Sequence, residues 1–155
     1  MKKAAIICVG RIKTGYWQAA CGHYCKLISS WRQLECIEVR DGDAKLAPIA
    51  RMDAESRNIL SRLDTRDLPV ALHEDGMSLN SSGFAEFLRH CDEKIMKRPV
   101  FIIGGPFGLA ESVLASCQKR ISLSPMTWPH ELARVLLLEQ LYRAESILRG
   151  TAYHH

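Results

Sequence analysis

Apolar positions along this chain follow two periods, and their alternation outlines an α/β protein. Residues 4–9 are an unbroken apolar run of strand length that stops at Gly10. Over 15–31, Trp17, Ala20, Tyr24, Leu27, Ile28 and Trp31 gather on one face of a helix. Residues 34–39 read as a second strand and 40–43 as a turn. Pro48 fits the first turn of a helix whose apolar positions are Ile49, Met52, Ile59, Leu60 and Leu63. Arg51, Arg57, Arg62 and Arg66 lie on or near that helix and read as its solvated face. A third strand, 69–73, is closed by Glu74, Asp75 and Gly76. Residues 80–82 can cap a helix bearing Phe84, Phe87, Leu88 and Cys91 at i, i+3, i+4 and i+7, and 100–103 is the fourth strand. The glycine turn 104–108 leads to a helix over about 110–120, a short apolar segment at 121–124 and a proline-flanked loop at 125–129. An uninterrupted helical pattern then runs from His130 to Arg149 and is closed by Gly150. Strands alternating with helices predict a mostly parallel sheet with helices on both faces. No repeat or linker divides the chain, so one domain over 1–155 is the economical reading.

Composition narrows the class. The 155 residues are 47% hydrophobic and 25% charged, which is ordinary for a soluble globular protein. A chain of this length buries enough surface to fold without disulfides. The formal charge of +4 is compatible with a nucleic-acid partner, though no block of like charges forms a basic tail. No apolar run approaches 18 residues, so no membrane span is expected. The first ten residues are too short an apolar segment for a signal peptide, with Arg11 and Lys13 following at once, and a cytoplasmic protein is expected. Six cysteines form no C-x-x-C pair. Cys21 and Cys25 flank His23 but lack further ligands at metal-site spacing, so no metal is expected.

Ligands of open α/β sheets bind beyond the carboxyl ends of the strands. The turn at 104–108 sits at such an end, and its glycines permit a sharp turn and close approach of a flat ligand. It is neither a dinucleotide fingerprint, for which G-x-G-x-x-G is absent, nor a P-loop, for which no Lys-Ser or Lys-Thr follows. Taken alone it reads first as an ordinary tight connection. The segment 123–128 offers the hydroxyls of Ser124 and Thr127 and peptide groups that no sheet uses, which can pair with a base edge. It also reads simply as the approach to the last helix. In that helix Leu132, Val135, Leu136, Leu137, Leu138, Leu141, Tyr142, Ala144, Ile147 and Leu148 cover more than one face. Such breadth implies burial on two sides, one by the sheet and one by a second subunit, giving a two-fold homodimer. Arg134 and Arg143 interrupt the stretch, as paired charges or phosphate contacts would.

Four motifs in order carry a resemblance: Ile-Gly-Gly-Pro-Phe-Gly-Leu at 103–109, Ser-Leu-Ser-Pro-Met-Thr-Trp-Pro-His at 122–130, Leu-Tyr-Arg-Ala at 141–144, and Tyr153-His154. Together they resemble the ribosomal RNA large subunit methyltransferase H family, of the SPOUT class of knotted methyltransferases. The match is dense over the last third and looser over the whole chain. The resemblance implies a carboxyl-terminal trefoil knot and an S-adenosylmethionine-dependent homodimer. It implies methylation of N3 of a pseudouridine in large-subunit (23S) rRNA on the ribosome. The implied cofactor contacts are Leu72, Gly104, Leu123, Ser124, Pro125, Met126, Thr127 and Trp128. The implied catalytic and substrate-side residues are Arg143, Tyr153 and His154. The chain departs from the family in lacking a basic residue after Tyr153-His154 and in its diverged amino-terminal half. His130 suits a ligand contact or a helix start equally, and His23, His73 and His90 receive no chemistry. The competing class is a non-catalytic, nucleotide-binding, flavodoxin-like regulator. Stabilisation by S-adenosylmethionine separates the two, and Gly104→Val is expected to remove it with little other damage.

Overall fold

Five strands and five helices alternate along the chain. They are β1 (Lys2–Val9), α1 (Gly15–Ile28), β2 (Arg32–Val39), α2 (Pro48–Leu60), β3 (Asp67–Ser78), α3 (Ser81–His90), β4 (Arg98–Ile103), α4 (Glu111–Ser116), β5 (Lys119–Ser122) and α5 (His130–Arg149). This is a computed structural model, and it describes residues 1–154, the side chain of His154 excepted. All strand pairs are parallel, in the order β2-β1-β4-β3-β5. The unbroken apolar run of β1 follows from its central place, because each face of the sheet carries a core. Ile6, Cys8, Val70, Phe101 and Ile103 pack under α1, α3 and α5, whereas Ala5, Ile7, Ala71, Val100 and Ile102 pack under α2 and α4.

Three local features depart from the sequence reading. β3 does not end at His73. Leu72 and Met77 both pair with Ile121, so the residues between them are extruded as a bulge and the strand then resumes. Gly76 makes this possible, since a Cβ there would lie 2.6 Å from the Ile121 backbone. The helix expected over 110–120 is shorter, and β5 begins at Lys119. On α2, Ile49 is 76% exposed, and the buried positions are Glu55, Ser56 and Ile59.

The long helix α5 runs antiparallel to the strands. Near its start Arg134 donates to the Gly10 carbonyl (3.0 Å) and to Glu38 (2.7 Å), at the carboxyl ends of β1 and β2. Near its end Glu145 accepts from the buried Arg32 (2.6 Å) at the amino end of β2, and Arg32 also reaches Asp92 and the Lys3 carbonyl. Gly150, at φ 65°, closes the helix as its sequence predicts. Both α1 and α3 of the same chain pack against α5. The breadth of its apolar surface is therefore met within one chain and does not by itself call for a second subunit.

Candidate functional site

The carboxyl ends of β3, β4 and β5 converge on one crevice of about 790 Å³, within the usual size range for a small-molecule site. Leu72 reaches it from β3 and Gly104 from the turn after β4. Leu123, Ser124, Met126, Thr127 and Trp128 line it from the segment between β5 and α5. Seven of the eight residues expected at a cofactor site thus share one cavity, whereas Pro125 is exposed and outside the lining. The two loops that the sequence singles out are opposite walls of that space.

Each wall is shaped by its own backbone. In the glycine turn the Gly108 amide donates to the Gly105 carbonyl (3.0 Å), with Gly108 at φ 82°. Gly104 is required by this fold-back, because a Cβ on it would sit 2.7 Å from the Gly108 carbonyl carbon. Its missing side chain makes room for the turn itself rather than for a ligand. Gly104→Val would consequently disrupt the loop, contrary to the mild effect expected from sequence. Across the crevice, Ser122 donates to the Ser124 carbonyl (2.9 Å), and Ser124 Oγ accepts the Met126 amide (2.9 Å). Among the described residues the Thr127 and Trp128 amides have no protein acceptor, so they are available to a ligand.

The bulge in β3 adds two side chains that the sequence reading left without a role, His73 and Glu74. His73 Nδ1 accepts the Asp75 amide (3.1 Å). His130 and Phe107 complete the polar and aromatic lining. Among the described residues Glu74 is the only carboxylate in the wall, and neither Lys nor Arg lines it. Such a lining offers no cation for a phosphate and suits a ligand carrying positive charge. Behind the turn, Arg51 and Glu55 form a largely buried pair, with side chains 15% and 3% exposed. The sequence reading places Arg51 on the solvated face and gives Glu55 no role, although Glu55 stands three residues after Met52 and four before Ile59, on the apolar stripe of α2.

Arg143 and Tyr153 lie elsewhere. Arg143 follows Ala133, the last crevice residue on α5, by ten helical positions, roughly 15 Å at about 1.5 Å per residue. They therefore sit towards the amino-terminal edge of the sheet, away from the crevice of their own chain. There Arg143 Nε and Nη2 both donate to Glu139 Oε1 (2.9 and 2.6 Å), and the guanidinium lies 4.9 Å from the Tyr153 ring centroid. The Tyr153 hydroxyl donates to the same oxygen at 3.3 Å. Desolvation, aided by Tyr24 and Glu139, raises the Tyr153 phenol above its ordinary value, which makes it a hydrogen-bond donor rather than a base. Tyr153 packs on Tyr142, which stacks on Trp31. The side chain of His154, the third expected residue, lies outside the described residues.

Comparison with known proteins places this geometry in context. A family model described as Predicted SPOUT methyltransferase matches residues 2–154. The ribosomal RNA large subunit methyltransferase H of Lawsonia intracellularis is 47% identical over 154 residues, covering 99% of this chain and 98% of that protein. The protein of the same name from Desulfovibrio desulfuricans is 48% identical, again over 99% and 98% of the two chains. Among solved structures, a probable methylase family protein from Haemophilus influenzae superposes with a TM-score of 0.56 at 14% identity. It covers 98% of this chain and 70% of that one, which is a likeness of fold alone.

Proposed function

The chain belongs to the SPOUT methyltransferases, and within them to the ribosomal RNA large subunit methyltransferase H family; from that premise we propose that it transfers a methyl group from S-adenosylmethionine to N3 of a pseudouridine in 23S rRNA on the ribosome. The observation that carries the reading is the single crevice in which both motif-bearing loops and the end of β3 meet. Its chemistry fits the donor. Apolar Leu72, Leu123 and Met126 and the aromatic Trp128 suit an adenine ring, and the spare amides of Thr127 and Trp128 suit its base edge. The lone carboxylate of Glu74 suits a sulfonium or ammonium group. For the flavodoxin-like regulator the described lining offers a phosphate hydroxyls and amides, with no Lys or Arg.

When bound, S-adenosylmethionine supplies an electrophilic methyl carbon on a positively charged sulfur. The protein's part is to position the acceptor nitrogen in line, which can account for roughly 7–11 kcal/mol of barrier reduction. The acceptor must also shed its imide proton. Arg143 supplies a cation, and Tyr153 a hydroxyl that can turn its one proton from Glu139 to the resulting anion. Because Arg143 lies ten helical positions, roughly 15 Å along α5, beyond Ala133, and Tyr153 packs beside it, we assign both to the crevice of a second copy. A two-fold homodimer with α5 helices running antiparallel would join the tail of one chain to the crevice of the other. Leu132 and Leu136 of α5 are only half-buried in the single chain and are available to such a contact. The carboxyl-terminal trefoil knot belongs to the same reading, as does a single domain over the whole chain.

A thermal-shift titration tests the donor assignment. At 100 times its dissociation constant, S-adenosylmethionine should stabilise the fold by about 2.7 kcal/mol. Trp128→Arg, which places a cation in the wall, should abolish the shift while leaving the unliganded melting temperature nearly unchanged. A shift with flavin mononucleotide and none with S-adenosylmethionine would favour the regulator.

A further inference from the structure

We propose that Glu55 is a positioning residue that fixes the glycine turn of the crevice and ties it to the loop following β2. The inference rests on reading the crevice as the methyl-donor site. Glu55 lies on α2, is 2% exposed, and does not itself line the crevice. Its Oε1 accepts the Gly42 amide (3.0 Å) and Arg51 Nε (3.3 Å). Its carboxylate also occupies the space that Gly105 leaves open. A Cβ on Gly105 would lie 3.0 Å from Glu55 Oε2, 3.3 Å from Oε1 and 3.2 Å from Val9 Cγ1. Gly105 is thus seated on the carboxylate, and any outward movement of Glu55 removes the floor of the turn.

Arg51 extends the same bracket. Its guanidinium lies 5.7 Å from the ring centroid of Phe107, which together with Gly105 faces the crevice. On its other side the loop after β2 presses directly against it, since a Cβ on Gly42 would meet Arg51 Cγ at 2.5 Å. One ion pair therefore touches the loop at 41–42, helix α2 and the turn at 105–107. A buried ion pair adds little net stability compared with apolar packing. What this one supplies is fixed geometry between two loops at the same edge of the sheet. The loop it anchors carries Arg40 and Lys45, both exposed and, among the described residues, without a carboxylate partner. Glu55 thereby joins the donor wall to a segment with cations to offer an RNA phosphate.

Amide hydrogen exchange and calorimetric titration of S-adenosylmethionine into the full chain test this together. Glu55→Ala should accelerate exchange across 104–109 and 40–43 and weaken donor binding roughly tenfold, the usual scale for losing a buried charged hydrogen-bond partner. Glu55→Gln keeps an acceptor for Gly42 and should restore binding to within about threefold. Ile59→Ala, a core truncation on the same helix away from the turn, should lower the melting temperature without changing either readout. Unchanged exchange and affinity in Glu55→Ala would overturn the proposal, as would equal changes in Ile59→Ala. If Glu55→Ala fails to fold, Arg51→Met must loosen the same two segments, and unaltered exchange there overturns the proposal. A turn that loosens in Glu55→Ala, beside a wild-type chain that takes up no donor, would leave the positioning role standing and refute the donor site.

Discussion

The thiols show how a residue's surroundings, more than its type, set its chemistry. Cys25 in the last turns of α1 and Cys36 on the edge strand β2 have their sulfurs 3.8 Å apart. Either thiol can donate the bond between them; sharing it holds Cys25 below its usual value and pushes Cys36 up. Burial pushes Cys8 up to about 12, and Cys21 and Cys91 up to about 11. Because the thiolate is the nucleophile, iodoacetamide at neutral pH should alkylate Cys25 first, with Cys8 and Cys91 protected until the chain unfolds. Peptide mapping of a time course checks this, and the rate at Cys25 should fall in Cys36→Ser. Equal labelling of Cys25 and Cys36 would show that the bond does not polarise the pair. The sequence gives no hint of this contact: the spacing that catches the eye is Cys21 to Cys25, while the partner of Cys25 lies on the next strand.

At the scale of elements, the terminal helix carries the strongest internal tie. Arg32 is fully buried and is held by Glu145 of α5 and by Asp92 after α3. Removing one member of such a group leaves an uncompensated buried charge, so Glu145→Ala should cost about 3–5 kcal/mol in a urea unfolding titration. A loss well under about 1 kcal/mol would mean that Asp92 alone satisfies the guanidinium. How much of the fold is legible in the sequence follows from the range of the interactions involved. α5 can be read to its ends because its apolar repeat, Pro129 and Gly150 are local signals. The extension of β3 past its bulge cannot, since it depends on Gly76 passing over Ile121, a contact between strands distant in sequence. Arg51 is concealed for a related reason, since a guanidinium on a charged helix looks solvated until two loops close over it, whereas Glu55 is hinted at by its place between Met52 and Ile59 on the apolar stripe. The crevice itself is legible in outline because its walls are runs of glycine and proline. Its third wall, His73 and Glu74, exists only through the bulge.

The whole molecule poses the question of how one crevice and one distant tail form a site. In a shared-site dimer each crevice is completed by the tail of the partner. An equimolar mixture of Arg143→Ala and Trp128→Arg chains should then regain activity. Random pairing makes half of the dimers mixed, each with one intact site of two, so about a quarter of wild-type activity should return. Either variant alone should be nearly inactive. A mixture no more active than its components would place crevice and tail function in the same chain.

The most direct measurement is transfer of a labelled methyl group from S-adenosylmethionine to purified ribosomes lacking the modification, followed by nuclease mapping and mass spectrometry of the rRNA. Label confined to one pseudouridine of 23S rRNA, carried on N3 and lost with Trp128→Arg, is the expected result. Label on another base or on ribosomal protein, or label that persists in Trp128→Arg, would contradict the assignment of this crevice to that chemistry.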